Sequence, residues 1–197
     1  MNSATFERFA GLCAILTGVV GFLYSIAFIV LQSDLLGALF LMLGGLLTTA
    51  ALAAVYGRLR QTDAAFALWA LLLGIAGALG AAFHGGYDLA NAINPPEASL
   101  PALPSQVDPR GLATFGIAGL GAFVVAWLIA RGGQFPRGLG YLGYVLAGLL
   151  LILYLGRLIV VEATDPLIVV PALATGFLVN PVWYVWLGLV LWRQSRV

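Results

Sequence analysis

A chain of 197 residues that is 62% hydrophobic and only 9% charged is a poor fit to any water-soluble fold. A soluble domain averages about 25% charged residues, and at this length it has too little interior to hide so much apolar surface. The formal net charge of +1 provides no field to hold nucleic acid or another polyanion. All of the basic residues are arginines, and without a lysine amine no retinal-type Schiff base can form.

The first apolar run, residues 9–31, is too long for the core of a cleavable signal peptide and lacks a small-x-small cleavage site. It is long enough to cross a bilayer. It carries the single cysteine, Cys13, which has no partner for a disulfide or a Cys-x-x-Cys pair and reads as a small buried hydrophobe. Gln32-Ser33-Asp34 separates this run from the second, residues 35–57. Arg58 to Asp63 then leads into the third, residues 64–90. Three more follow at residues 111–130, 138–161 and 167–192. Connections this short force neighbouring helices to be antiparallel. The expected fold is all-α: a single transmembrane domain over residues 1–197, a six-helix bundle of three antiparallel hairpins.

The arginines set the expected orientation. Arg8, Arg58, Arg60, Arg131, Arg137, Arg193 and Arg196 fall on one side, and only Arg110 and Arg157 lie toward the other. The positive-inside rule makes the arginine-rich side, with both termini, cytoplasmic, and makes the chain a multi-pass protein of the plasma membrane. Trp69, Trp127, Trp183, Trp186 and Trp192 all lie in that half of their spans, at the depth of an aromatic anchoring belt.

Between the third and fourth runs, residues 92–110 hold Pro95, Pro96, Pro101, Pro104 and Pro109. Such a segment is stiff and extended, and either lies across the bundle mouth or simply connects. Asp108-Pro109 reads as a helix cap followed by a first-turn proline. The third run is rich in glycine and alanine from Gly74 to Gly86. Small residues let helices approach closely in lipid, so the expectation is a central third helix and tight packing without a wide aqueous pore.

Polar residues inside spans are costly and face protein or water. His84, Asp88 and Asn91 recur at i, i+4 and i+7 on one helical face, with Tyr87 at its border. His84 is the only histidine. A rise of about 1.5 Å per residue places it near the outer hydrocarbon boundary, with Arg157 at a matching depth in the fifth run. No acid lies at i+3 or i+4 from Arg157 in its own helix, so its expected partner is Asp88, or else Glu162 or Asp165. Asn180-Pro181 falls near the middle of the sixth run, where Pro181 cannot donate to the Phe177 carbonyl and should kink the helix. The candidate ligand-binding set is therefore His84, Tyr87, Asp88, Asn91, Arg157 and Asn180.

The same inventory closes off several chemistries. One histidine builds neither a three-ligand zinc site nor bis-histidine haem ligation, and no phosphate-cradling glycine motif is present. No catalytic residues, metal or cofactor are expected. His84 and Asp88 could still serve as an acid–base pair.

The segments from His84 to Asn91, from Gly138 to Tyr144 and from Asn180 to Tyr184, with the span pattern, resemble uncharacterised six-span bacterial membrane proteins, a group with no assigned activity. Three readings follow. The first is binding or transport of a small hydrophobic or amphipathic ligand, or a lipid, through an outward-facing polar pocket. The second is a non-catalytic subunit or assembly factor, as a homo-oligomer or within a membrane complex. The third is an intramembrane enzyme using His84. Membrane lipids are partners in each, and the first is the most open to test.

Overall fold

An apolar chain with few polar side chains can satisfy its backbone amides and carbonyls only with one another, and helices do this within a single segment. The computed structural model describes residues 3–95, 111–160, 162 and 164–194. These residues form six long helices. Helix α1 runs Ser3–Ser25 and continues as a π-helical turn, Ile26–Val30. Helices α2 and α3 are Asp34–Leu59 and Ala64–Ile93. Helix α4 begins as a π-helical segment, Leu112–Ile117, and continues through Ala118–Arg131. Helix α5 is Arg137–Ile159. Helix α6 combines Pro166–Ala174, a π-helical turn Thr175–Val179, and Asn180–Gln194. All six are long and apolar enough to cross a membrane, supporting a multi-pass membrane protein. The predicted spans match them to within a few residues, except that α1 starts earlier, at Ser3.

Local chemistry sets several helix ends. Gln32 adopts φ of 50°, the left-handed conformation that terminates helices. Ser33 then caps α2, its hydroxyl accepting from the Leu36 amide at 3.4 Å. Asp63 caps α3 by accepting from the Ala65 and Phe66 amides at 3.1 and 3.0 Å. Asp165 accepts from the Leu167 amide at 2.8 Å, with Pro166 opening α6. The cap read at Asp108-Pro109 lies outside the described residues, as does most of the proline-rich connection.

The helices form a ring. Each packs against its chain neighbours, and α6 returns to α1. Glycines hold the seams. A Cβ on Gly11 would stand 2.9 Å from the Gly188 carbonyl oxygen, across α1 and α6. One on Gly45 of α2 would stand 2.5 Å from the Ala78 carbonyl of α3. One on Gly77 of α3 would meet Ala118 of α4 at 2.7 Å, and one on Gly140 of α5 would meet the Ala126 carbonyl of α4 at 3.0 Å. Such approach exposes each backbone to dispersion contacts that larger residues would prevent.

The expectation of a central third helix is corrected. Helix α3 packs on α2 and α4, one on each side within the ring. Its small residues suggested contact all round, but Ala76 is exposed while Gly74, Gly77 and Ala78 are buried. Size replaces polarity as the organising pattern: small residues face protein, and large apolar ones such as Phe83 (72% exposed) face outward.

Around the end of the ring that carries both termini, large side chains fill the centre. Leu59, Leu128, Ile129, Leu139, Leu187 and Leu191 are fully buried there. Arg58 belongs to this end, in the last turn of α2, where it is itself buried. Its guanidinium grips Glu7 of α1 at 2.7 Å through Nη2 and 3.4 Å through Nε, and lies 5.5 Å from the Phe135 ring centroid. Arg58, which the sequence marked only by its side of the bundle, thus joins α1, α2 and the α4–α5 turn. Trp183 is also corrected from the anchoring belt. It is 2% exposed, and its indole donates to the Leu139 carbonyl at 3.1 Å. Gly143 makes the room: a Cβ there would stand 3.0 Å from the indole nitrogen.

Two outcomes follow. Gly45→Ala should lower the unfolding temperature in detergent, because the added methyl meets backbone, whereas Gly57→Ala, which meets nothing within 4 Å, should hold or raise it through helix propensity; equal effects would remove the seam account. Glu7→Ala should cost about 2 kcal/mol by removing the carboxylate that the buried Arg58 grips, and adding Arg58→Met should recover part of that loss. Chemical denaturation of the two variants checks this, and a double variant no more stable than Glu7→Ala would contradict it.

Candidate functional site

Toward the other end, the inward positions of the ring are small. Gly21, Gly44, Gly77, Ala81, Ala118 and Ala122 face a space they do not fill. The result is a cavity of about 870 Å³, within the range of roughly 300–1,000 Å³ typical of small-molecule sites. All six helices contribute to its wall. The expectation of tight packing throughout is therefore corrected: seams that are tight pairwise close a ring, and a ring of six encloses a hole unless large side chains occupy it. The hole does not run through. It ends on Leu52, Val125, Leu146 and Trp183, at the edge of the packed core.

Polar groups collect at the mouth. Helix α3 presents His84, Asp88 and Asn91 to the cavity on successive turns, as their spacing predicted. His84 Nε2 lies 3.2 Å from Asp88 Oδ2, an i, i+4 pair with side chains 23% and 41% exposed. Arg157 lines the mouth from α5. Tyr87 is 45% exposed and does not line the cavity.

The expected pairing of Arg157 with Asp88 is not formed. Asp88 pairs with His84. Glu162 accepts from the Thr164 hydroxyl at 3.0 Å, and Asp165 caps α6. Each of the three acids offered for Arg157 thus has a local use. Arg157 remains exposed beside the cavity. Tyr24, stacked on Phe28 at 5.7 Å, and Asp34, at the start of α2, complete the mouth. Sequence reading passed over both, because Asp34 looked like a turn acid and a lone tyrosine carries no pattern.

Elsewhere the wall is apolar and aromatic, with Phe40, Phe115, Leu150 and Ile168. A few hydroxyls and one amide interrupt it. Asn180 lies across the α1–α6 seam against Gly21, where a Cβ would stand 2.7 Å from its Nδ2. The kink expected at Pro181 takes a different form. Helix α6 stays continuous, and the π-helical turn Thr175–Val179 directly before Asn180-Pro181 absorbs the missing amide and the ring's bulk. The Asn180 amide bonds to the Thr175 carbonyl, five residues back.

The π-helical turns have a chemical effect. In regular helix, the hydroxyls of this chain bond back to the preceding turn: Thr17 to the Cys13 carbonyl at 2.9 Å, Ser25 to Gly21 at 3.2 Å, Thr48 to Gly44 at 2.8 Å. Thr114 and Thr175, both in π-helical turns, do not. Their Oγ1 atoms are buried and have no hydrogen-bond partner among the described residues, and both line the cavity. An unsatisfied buried hydroxyl costs about 1–3 kcal/mol.

The assembled site is an apolar pocket with a charged and polar mouth and a few deep hydrogen-bonding groups. That arrangement suits a molecule with a polar head and an apolar body. Among the described residues, no three His, Cys, Asp or Glu side chains converge to hold a metal ion. No family model, curated protein or solved structure matches the chain. The resemblance drawn from its motifs therefore adds no relative whose chemistry could be carried over.

Proposed function

We propose that this chain is a multi-pass protein of the plasma membrane that binds a small amphipathic molecule or lipid in the cavity enclosed by its six helices, as a carrier or receptor. The observation that supports this reading is the cavity itself: about 870 Å³, apolar in its depth, with His84, Asp88, Asn91 and Arg157 at its mouth. A bundle needing only mechanical stability gains nothing from such a void, since unfilled space forfeits packing energy. In this reading both termini are cytoplasmic, by the arginine asymmetry, and the mouth opens to the outer face. The polar head rests among the charges of the mouth, and the apolar body enters toward Trp183.

Sidedness is tested by cysteine labelling in a Cys13→Ala background. Asn91→Cys should react with a membrane-impermeant maleimide added to intact cells, and Arg60→Cys only after permeabilisation; the reverse pattern would invert the orientation. Binding is tested by native mass spectrometry of the protein released gently from detergent. The wild type should retain a co-purified small molecule or lipid, and the His84→Ala, Arg157→Ala double variant should lose most of it. Bare protein in both samples would leave the cavity without a ligand and favour a non-catalytic subunit.

A further inference from the structure

The deep hydroxyls say something about the ligand's body as well as its head, given the binding reading above. Thr175 is only 8% exposed, and its Oγ1 is buried, faces the cavity and has no partner. Thr114 Oγ1 is in the same position on α4. The chain has an inexpensive way to satisfy such groups, and uses it at Thr17, Ser25 and Thr48 by bonding back to a helical carbonyl. At Thr175 that route is not taken, although its own amide bonds to the Ala172 and Pro171 carbonyls of the preceding turn. Each of these hydroxyls therefore keeps a proton that a group inside the cavity can accept. The indole of Trp183, at the floor of the cavity, is occupied by the Leu139 carbonyl.

One complement of such a hydroxyl in an apolar wall is a group that accepts its proton and brings no polar hydrogen of its own. An ester carbonyl does this, and an aliphatic chain can carry one part-way along its length without a further polar hydrogen to satisfy. We propose that the ligand is an acyl ester whose carbonyl oxygen is received by the Thr175 hydroxyl, with Thr114 as the second donor, while its polar head stays at the mouth. Single-chain acyl esters and bilayer glycerolipids share this chemistry.

The test uses the full chain in detergent micelles and two matched probe pairs. One pair is palmitoyl lysophosphatidylglycerol and its hexadecyl ether analogue, which lacks only the carbonyl. The other is the corresponding two-chain diester and diether. Wild type should bind the ester of one pair about tenfold more tightly than the ether, the worth of one good hydrogen bond. The pair showing the tighter binding names the source, single-chain or bilayer lipid. Thr114→Val, Thr175→Val removes both hydroxyls at nearly constant volume, and should abolish the preference while leaving ether affinity unchanged. Arg157→Ala should weaken ester and ether alike, keeping their ratio. Equal wild-type affinity for ester and ether, or a preference that survives in the double valine variant, would overturn the carbonyl site while leaving the binding reading intact. Failure of wild type to bind any of the four probes would overturn both. The wild-type comparison stands even where a variant does not fold.

Discussion

The fold depends on backbone-to-backbone contact between helices. In an apolar medium there is little hydrophobic drive to bring helices together, so association rests on how closely their surfaces can meet. Glycine at Gly11 and Gly188, at Gly45, at Gly77 and at Gly140 lets neighbouring helices meet where a single methyl would collide. These seams are local. Each fixes one helix against the next, and together they trace a circuit in which α6 comes back to α1. The interior then follows from what the circuit surrounds. Near the termini it surrounds leucines and isoleucine, and is solid. At the other end it surrounds glycines, alanines and short polar residues, and is hollow.

The π-helical turns act on that hollow. Each carries a residue more than an α-helix of the same rise and turns the following side chains to new directions. In α1, α4 and α6 they lie along the cavity wall, contributing Phe28, Thr114 and Thr175. In α6 the cause is legible: Pro181 has no amide to give, and the wider turn before it accommodates this. For Ile26–Val30 and Leu112–Ile117 no proline or polar residue accounts for the change. In α4 and α6 these turns carry hydroxyls, Thr114 and Thr175, that do not close on their own helix and face the cavity.

Much of this was written plainly in the residues. Long apolar runs broken by short polar turns predicted six helices to within a few residues. The spacing of His84, Asp88 and Asn91 predicted one face of α3, and that face does reach the cavity. The position of Arg157 in the chain predicted its level, but not its neighbours, because Asp165 was already committed to a helix cap and Asp88 to His84. Trp183 was indistinguishable by type from Trp69, yet one is buried and the other half exposed. The difference lies in Gly143 on another helix, which no local pattern records. Alanine was ambiguous for a related reason: Ala76 and Ala78 differ only in which way they point. The ring arrangement, and so the cavity, depends on which helices are neighbours, and pairwise glycine content alone does not specify that.

The seam between Gly11 and Gly188 has a consequence for how the molecule comes into being. It joins α1 to α6, helices far apart along the chain, whereas the other glycine seams join consecutive helices. During synthesis, α1 to α5 can associate in order as an open arc, with the small, inward-facing residues of α3 and α4 lining its open concave side. The pocket acquires its last wall only when α6 inserts and finds α1. The enclosed cavity is thus a property of all six helices together, and the contact of greatest sequence separation is the one that turns a row of helices into a container.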